Sequence, residues 1–167
     1  LEPQARLELA KYTGVEFFEC GFIESDDLLL GISPDGISQC EKIQCEIKCL
    51  GVKNHLKLCL KDEIPNEFVP QLVHAFVVNS KLETMYFCAY RPESIKQLFV
   101  KELNRESLVN IGTDAKPVIK PISELVLVIQ KCNLYFSASP FSCAWLDQDQ
   151  VTGDFLERAP PRCRRIV

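Results

Sequence analysis

The chain has 167 residues, of which 47% are apolar and 25% are charged, and its formal net charge is −4. A chain of this length and composition can bury a substantial hydrophobic core in one domain, which excludes a disordered or fibrous protein. No apolar run reaches the roughly 18 to 20 residues that a membrane-spanning helix needs, so we predict no membrane partner.

The sequence predicts a mixed α/β protein, with helices that flank a mixed β-sheet. In chain order it predicts a helix at about 2–13, extended runs at 15–23, 28–32 and 43–49, a helix from about 51 to 61, a helix after Pro65, and strands at 84–90 and 98–103. Residues 122–131 fit either a helix or a buried strand. We predict a single domain over residues 1–131 and a C-terminal extension of unclear structure over residues 132–167.

The chain contains nine cysteines, an odd number. Cys20, Cys45, Cys49 and Cys88 lie in apolar, strand-like segments, where a free thiol packs as a small hydrophobic group. These features favour buried free thiols over a disulfide framework. We therefore predict an intracellular, reducing compartment, which is the cytoplasm or nucleoid of a host cell, or the nucleus of a eukaryote.

A polar pair lies in the predicted strand Cys45-Glu46-Ile47-Lys48-Cys49. Successive side chains of a strand point to opposite faces, so Glu46 and Lys48 share one face and the apolar residues take the other. One interpretation is a solvated strand with an incidental ion pair. The other is a functional pair, because a polar pair on a core strand needs a reason.

Asp35 favours the functional interpretation. It lies in Ser33-Pro34-Asp35-Gly36, a turn that holds its carboxylate at a strand end. Two adjacent carboxylates attract hard cations, and Mg²⁺ takes one or two protein carboxylates while water and phosphate complete its shell. A lysine beside such a site could orient or deprotonate a water and stabilise charge on a phosphate. We therefore predict a nuclease site in which Asp35, Glu46 and the Ile47 carbonyl bind metal.

Further blocks flank these two motifs. They are Glu2-Pro3-Gln4-Ala5-Arg6 with Tyr12-Thr13-Gly14-Val15 before them, and Ile64-Pro65, Phe68, Gln71, His74 and Tyr90-Arg91-Pro92 after them. In order and spacing, residues 1–103 resemble the YqaJ-type viral recombinase nucleases, a lambda exonuclease-like family of the PD-(D/E)XK nuclease superfamily. The resemblance implies a restriction-endonuclease-like core, with a mixed β-sheet flanked by helices.

The resemblance also implies roles for individual residues. Asp35, Glu46 and Lys48 would form the catalytic core, with Glu2 as a further acid near the metal and Gln71 as a polar contributor. Mg²⁺ is the implied cofactor, and Mn²⁺ is expected to substitute for it.

Two positions depart from the family pattern. Val73 stands where family members often have a second glutamine, and Pro70 stands where small or polar residues are usual. Family members also carry an upstream helix with an arginine that helps to hold the DNA 5′ phosphate, and a chain without that segment is expected to be less active.

Local charge must supply DNA binding in a chain whose net charge is negative. The candidate phosphate contacts are Arg6, Lys48, Lys53 and His55, together with Lys57 one helical turn after Lys53. For Lys53 and Lys57 the alternative is an ordinary solvated helix face. For His55 the alternative is a surface or capping position.

The function implied by the resemblance is that of a 5′-to-3′ exonuclease, which resects linear double-stranded DNA ends for single-strand annealing recombination. Its implied partners are DNA ends, a single-strand annealing protein and two further copies of the chain in a ring-shaped homotrimer. Two alternatives stay open, an endonuclease on the same fold and a non-catalytic DNA-binding or assembly module.

Overall fold

The computed structural model describes residues 1–25, 30–113 and 115–137, with side chains as far as residue 131. The described helices are α1 (Glu2–Thr13), α2 (Val52–Lys61), α3 (Val69–Val78) and α4 (Ile122–Ser137). The described strands are β1 (Ile23–Glu24), β2 (Gly31–Ile32), β3 (Gly36–Ile37), β4 (Ile43–Lys48), β5 (Thr84–Tyr90), β6 (Leu98–Leu103), β7 (Leu108–Asn110) and β8 (Ile119–Pro121). Among these helices, none is both long and apolar enough to cross a membrane.

The main sheet contains strands in the order β3-β4-β5-β6. The central strand β4 pairs antiparallel with β3 and parallel with β5, so that Lys48 lies opposite Ala89. β5 pairs antiparallel with β6, while β1–β2 and β7–β8 form separate small antiparallel pairs. The sheet is therefore mixed, as the sequence predicted.

Helices cover both faces of this sheet. On one face, Ala5 and Leu9 of α1 pack in a cluster with Cys45 and Ile47 of β4. On the other face, α3 and α4 enclose a larger core that includes Phe87 of β5. Because both faces are covered, β4 is buried on both sides, and its polar side chains lie inside the protein.

Most predicted elements are confirmed, but the extended run predicted at 15–23 is wrong. Of its residues only Ile23 belongs to a strand, and Phe18 makes an isolated bridge with Ile37. The Phe18 and Ile37 backbones exchange two hydrogen bonds of 2.8 and 3.0 Å. The partner strand β3 has only two residues, so no longer ladder can form beside it. Within the run predicted at 28–32, β2 begins at Gly31 and residues 26–29 lie outside the described part.

The ambiguous segment 122–131 is helical. Ile122 and Val126 of α4 are buried one turn apart in the core that contains α3. The helix continues to Ser137, so the domain boundary suggested at residue 131 falls inside it. Residues 138–167 lie outside the described residues, and the C-terminal extension stays a prediction.

The cysteines are only partly where the sequence predicted them. Cys45 and Cys88 are buried thiols, and Cys20 is partly buried. Burial raises the pKa of the Cys88 thiol to about 12, which keeps it protonated at neutral pH. Cys49 is exposed, contrary to the prediction, because β4 ends at Lys48 and the chain leaves the sheet there. The reducing compartment stays a prediction.

Gln44 is expected to be a destabilising residue of β4. Its side chain is fully buried, and neither atom of its amide has a hydrogen-bond partner among the described residues. Such a group destabilises a fold by about 1–3 kcal/mol. We expect Gln44→Met to raise the free energy of unfolding by about 1 kcal/mol in urea denaturation. Gln97→Met is the control, for which we expect no gain in the free energy of unfolding. The Gln97 amide lies in an exposed turn and donates a hydrogen bond to the Pro92 carbonyl oxygen. A loss of stability in Gln44→Met would show that the amide has a partner inside the core.

Candidate active site

Asp35 is fixed against the C-terminal half of β4. Its Oδ2 accepts a hydrogen bond of 2.7 Å from the Ile47 N–H. The turn that contains Asp35 can approach β4 closely because Gly36 lies opposite Cys45. A Cβ added at Gly36 would be only 2.8 Å from the Cys45 sulfur. The turn that the sequence indicated therefore places the carboxylate at a strand end.

Glu46 and Lys48 share the face of β4 that looks towards α3. The Lys48 ammonium donates a hydrogen bond to Glu46 Oε1, and Glu46 is only 4% exposed. The same ammonium donates to Gln71 Oε1 at 3.1 Å and lies 5.3 Å from the centre of the Phe68 ring. Three groups therefore fix the position of the lysine head group, and the predicted strand-face pair is present.

The start of α3 supplies the contacts from Gln71 and Phe68. Pro70 lies in the first turn of this helix, where a missing N–H breaks no helical hydrogen bond. Val73 is buried in the core, so its departure from the family pattern serves packing. Phe68 was part of a matching sequence block, but no role in the site was predicted for it. The position of Phe68 was a signal in the sequence. An aromatic residue that immediately precedes a helix packed on β4 can lie beneath the side chains of that strand.

Burial raises the pKa of both carboxyl groups of the site. For Asp35 the largest cause is desolvation, and the negative charge of Glu2 adds to it, while the hydrogen bond from Ile47 opposes it. For Glu46 the largest cause is again desolvation, opposed by the hydrogen bond from Lys48, and the charge of Asp35 raises the pKa further. The carboxylates therefore repel one another in a partly dry site, which a bound cation would relieve.

The donor set is suitable for a hard cation. The described residues contain no group of three or more His, Cys, Asp or Glu side chains arranged to hold a metal ion. One or two carboxylates are, however, the usual protein contribution to a magnesium site. Asp35 and Glu46 supply two carboxylates of suitable chemistry, and the raised pKa of each fits a site that is completed by positive charge.

Helix α1 brings Glu2 and Arg6 towards the same end of the sheet. Arg6 donates to Glu2 Oε1 at 3.2 Å, and its side chain is 13% exposed. The Glu2 charge raises the pKa of Asp35 and the Arg6 charge lowers it. Both predicted residues are therefore within electrostatic reach of the site, and Arg6 lies beside the carboxylates instead of on an outer surface.

His55 is not a phosphate contact, and the prediction of a DNA-binding role is wrong. Its side chain is fully buried, and its Nε2 is 2.7 Å from the Lys96 carbonyl oxygen. A residue without access to solvent cannot reach DNA, and it does not cap a helix either. It joins α2 to the turn between β5 and β6. The sequence contained one signal of this burial. His55 lies three residues before Leu58, so the two share a helix face that is opposite Lys53.

Lys53 and Lys57 remain exposed on α2, and among the described residues neither makes an ion pair. Helix α2 begins at Val52, soon after β4 ends at Lys48. Lys53 in its first turn is therefore a cation that follows the C-terminal end of β4 closely in the chain. Lys57 follows one turn further along the same face.

Known proteins match this chain in sequence and in fold. Residues 1–83, about half of the chain, match the model of the YqaJ-like viral recombinase domain. Two solved structures, LHK-Exo in complex with dAMP and the alkaline exonuclease LHK-Exo from Laribacter hongkongensis, are 22% identical to it with TM-scores of 0.61 and 0.62. The comparisons cover 81% of this chain and 63% of those chains, so it spans less than two thirds of their length.

At that level of identity the two structures establish the fold, and they bear out the predicted class of a mixed sheet flanked by helices. No curated protein matches the chain. The matched span contains Glu2, Asp35, Glu46, Lys48 and Gln71, the residues for which the resemblance implied a catalytic role. Residues 1–83 thus match the YqaJ-like viral recombinase domain family, which confirms the resemblance found in the sequence.

Proposed function

We propose that this protein is a metal-dependent deoxyribonuclease that degrades linear double-stranded DNA from its 5′ ends. The observation that carries the proposal is the meeting of Asp35, Glu46 and Lys48 at the C-terminal end of one buried strand. The family match over residues 1–83 and the fold shared with an alkaline exonuclease support the same activity.

Each residue of the site has a distinct task. Asp35 and Glu46, with the Ile47 carbonyl, would hold Mg²⁺, and Mn²⁺ is expected to substitute. When bound, the ion supplies Lewis-acid stabilisation of negative charge on the phosphate oxygens. Lys48 orients the attacking water and stabilises charge on the phosphate, and its contacts with Glu46 and Gln71 keep its head group in place.

Lys53 is proposed to contact a DNA phosphate. We expect Lys53→Ala to weaken duplex binding and to reduce the slope of log Kd against log salt concentration by about 0.9, because one released counterion is lost. Fluorescence anisotropy over a salt series measures both changes. Lys81→Ala is the matched control, because this exposed lysine precedes β5 at the end of the sheet opposite Lys48. An equal loss of slope in both variants would contradict a local contact.

Two proposed partners rest on the family resemblance. A 5′-to-3′ exonuclease leaves a 3′ single strand, for which a single-strand annealing protein is the expected recipient. A ring-shaped homotrimer around the duplex would keep the enzyme on its substrate between cleavage steps. Sedimentation equilibrium tests the ring, since a mass of three chains supports it and a monomer at micromolar concentration contradicts it.

A paired digestion tests the function. A linear duplex with 5′ phosphates, labelled at either the 5′ or the 3′ end, is incubated with the native chain and Mg²⁺ beside a covalently closed circle of the same sequence. Early release of the 5′ label, with the circle intact, is the expected result. Cleavage of the circle would identify an endonuclease on the same fold. Binding of both DNAs without cleavage would identify a non-catalytic DNA-binding module.

A further inference from the structure

Phe22 is an exposed aromatic residue with an unusual support. It is 54% exposed and immediately precedes β1, which pairs with β2 so that Ile23 lies opposite Ile32. Its ring lies over Gly31 of the neighbouring strand, and any side chain added at Gly31 would overlap the ring. The glycine therefore leaves room for the phenylalanine ring, which is supported by backbone on one side while more than half of the side chain faces solvent.

The strands that carry this ring are attached to the candidate active site at two points. Ser33 Oγ donates to the Gly21 carbonyl at 3.3 Å, and Asp35 follows two residues later, so the two Cα atoms are at most about 7 Å apart. On the other side, His74 Nε2 lies 3.3 Å from the Gly31 carbonyl oxygen. His74 belongs to α3, the helix whose first turn supplies Gln71 to Lys48. The ring is thus held beside both elements that build the site.

Isolated exposed apolar residues are common on proteins and need no function. Phe22 differs because its support and its attachments fix where the ring lies relative to Asp35 and α3. An aromatic face is a sequence-tolerant partner for a nucleobase, since every base has a π face. A contact of this kind suits a nuclease that acts on DNA ends of any sequence, because it does not depend on which base is present.

We propose that Phe22 stacks on a base of the DNA strand whose scissile phosphate binds at the site formed by Asp35, Glu46 and Lys48. The inference rests on the proposed function, because it requires a DNA strand in this site. The ring holds the base next to the scissile phosphate and so fixes the register of the strand. Phe22 is a DNA-binding residue in this arrangement and takes no part in proton transfer.

Three variants test the proposal. Phe22→Ala removes the ring, Phe22→Tyr keeps an aromatic face, and Gly31→Ala displaces the ring without removing it. Their melting temperatures are compared first, so that a folding defect is recognised. Kd is then measured with Ca²⁺ in place of Mg²⁺, on linear duplexes with either normal or abasic nucleotides near the 5′ end.

The native chain is expected to bind normal DNA about tenfold more tightly than abasic DNA, in line with the loss of one stacked base. Phe22→Ala should bind both DNAs equally, and Gly31→Ala should behave in the same way if its ring has moved. Phe22→Tyr should keep the native preference. Equal Kd values for native and Phe22→Ala on normal DNA would overturn the proposal. Cleavage assays are separate: a native chain that prefers normal DNA but cuts none would overturn the nuclease function and leave the stacking contact standing.

Discussion

Lys48→Ala is expected to lower the rate of DNA cleavage by about 10²- to 10⁴-fold, the range for loss of a positioned acid–base or electrostatic group. The substitution removes the ammonium that lies between Glu46 and Gln71. It also leaves Glu46 buried without its cation, so we expect the free energy of unfolding to fall by about 1–3 kcal/mol. Single-turnover cleavage and urea denaturation measure the two effects.

A double variant separates chemistry from stability. Glu46→Gln in the Lys48→Ala background removes the unpaired buried charge, so it should restore much of the lost stability while cleavage stays absent. Lys57→Ala, an exposed lysine on α2, should leave the cleavage rate per bound DNA molecule unchanged. Cleavage at the native rate by Lys48→Ala would show that this lysine is not part of the reaction.

Asp35→Asn is expected to abolish Mg²⁺-dependent cleavage and, at the same time, to raise the melting temperature of the metal-free protein. The pKa of Asp35 is raised chiefly by desolvation, so the native state binds this proton more tightly than the unfolded chain does. By linkage, the ionised carboxylate lowers stability as the pH rises from its ordinary range through the raised pKa. Asparagine removes that charge but keeps an oxygen that can accept the Ile47 hydrogen bond.

Thermal melts near pH 4 and at pH 8, with EDTA or Mg²⁺, measure this effect. In EDTA, the gain of Asp35→Asn over the native chain should be larger at pH 8 than near pH 4, the ordinary range of an aspartate carboxyl. Mg²⁺ should raise the melting temperature of the native chain and have little effect on the variant. Asp62→Asn is the control, because Asp62 pairs with Lys101 and its pKa is lowered, so no gain is expected. A metal-free Asp35→Asn protein that melts below the native chain at pH 8 would contradict the repulsion described here.

Local sequence pattern was sufficient to predict the position of a residue whose environment depends only on its own strand or turn. Alternation placed Glu46 and Lys48 on one face of β4, and the Pro-Asp-Gly turn placed Asp35 at a strand end. The limits of β5 and β6 followed from their continuous β-forming sequence. The approach of Gln71 depends on how α3 packs on the sheet, so it came from the family resemblance and not from spacing.

The predictions that failed depend on contacts between distant segments. His55 is buried because the turn that carries Lys96, 41 positions later in the chain, packs on α2. Its spacing from Leu58 indicates that it shares a helix face with a buried residue, but not which segment covers that face. The segment that contains Phe18 has strand-like composition, but it forms only one bridge because its partner β3 is short. Cys49 has the alternation of a core residue, yet the strand ends before it.

The release of nucleotides from a 5′-labelled linear duplex, measured against Mg²⁺ concentration for the native chain and for Asp35→Asn, tests the proposed catalytic site most directly. Release by the native chain that rises with Mg²⁺, stops in EDTA and is absent in the variant is the predicted result. No release by the native chain at any Mg²⁺ concentration, or release by Asp35→Asn at the native rate, would contradict a metal-dependent nuclease site built on Asp35, Glu46 and Lys48.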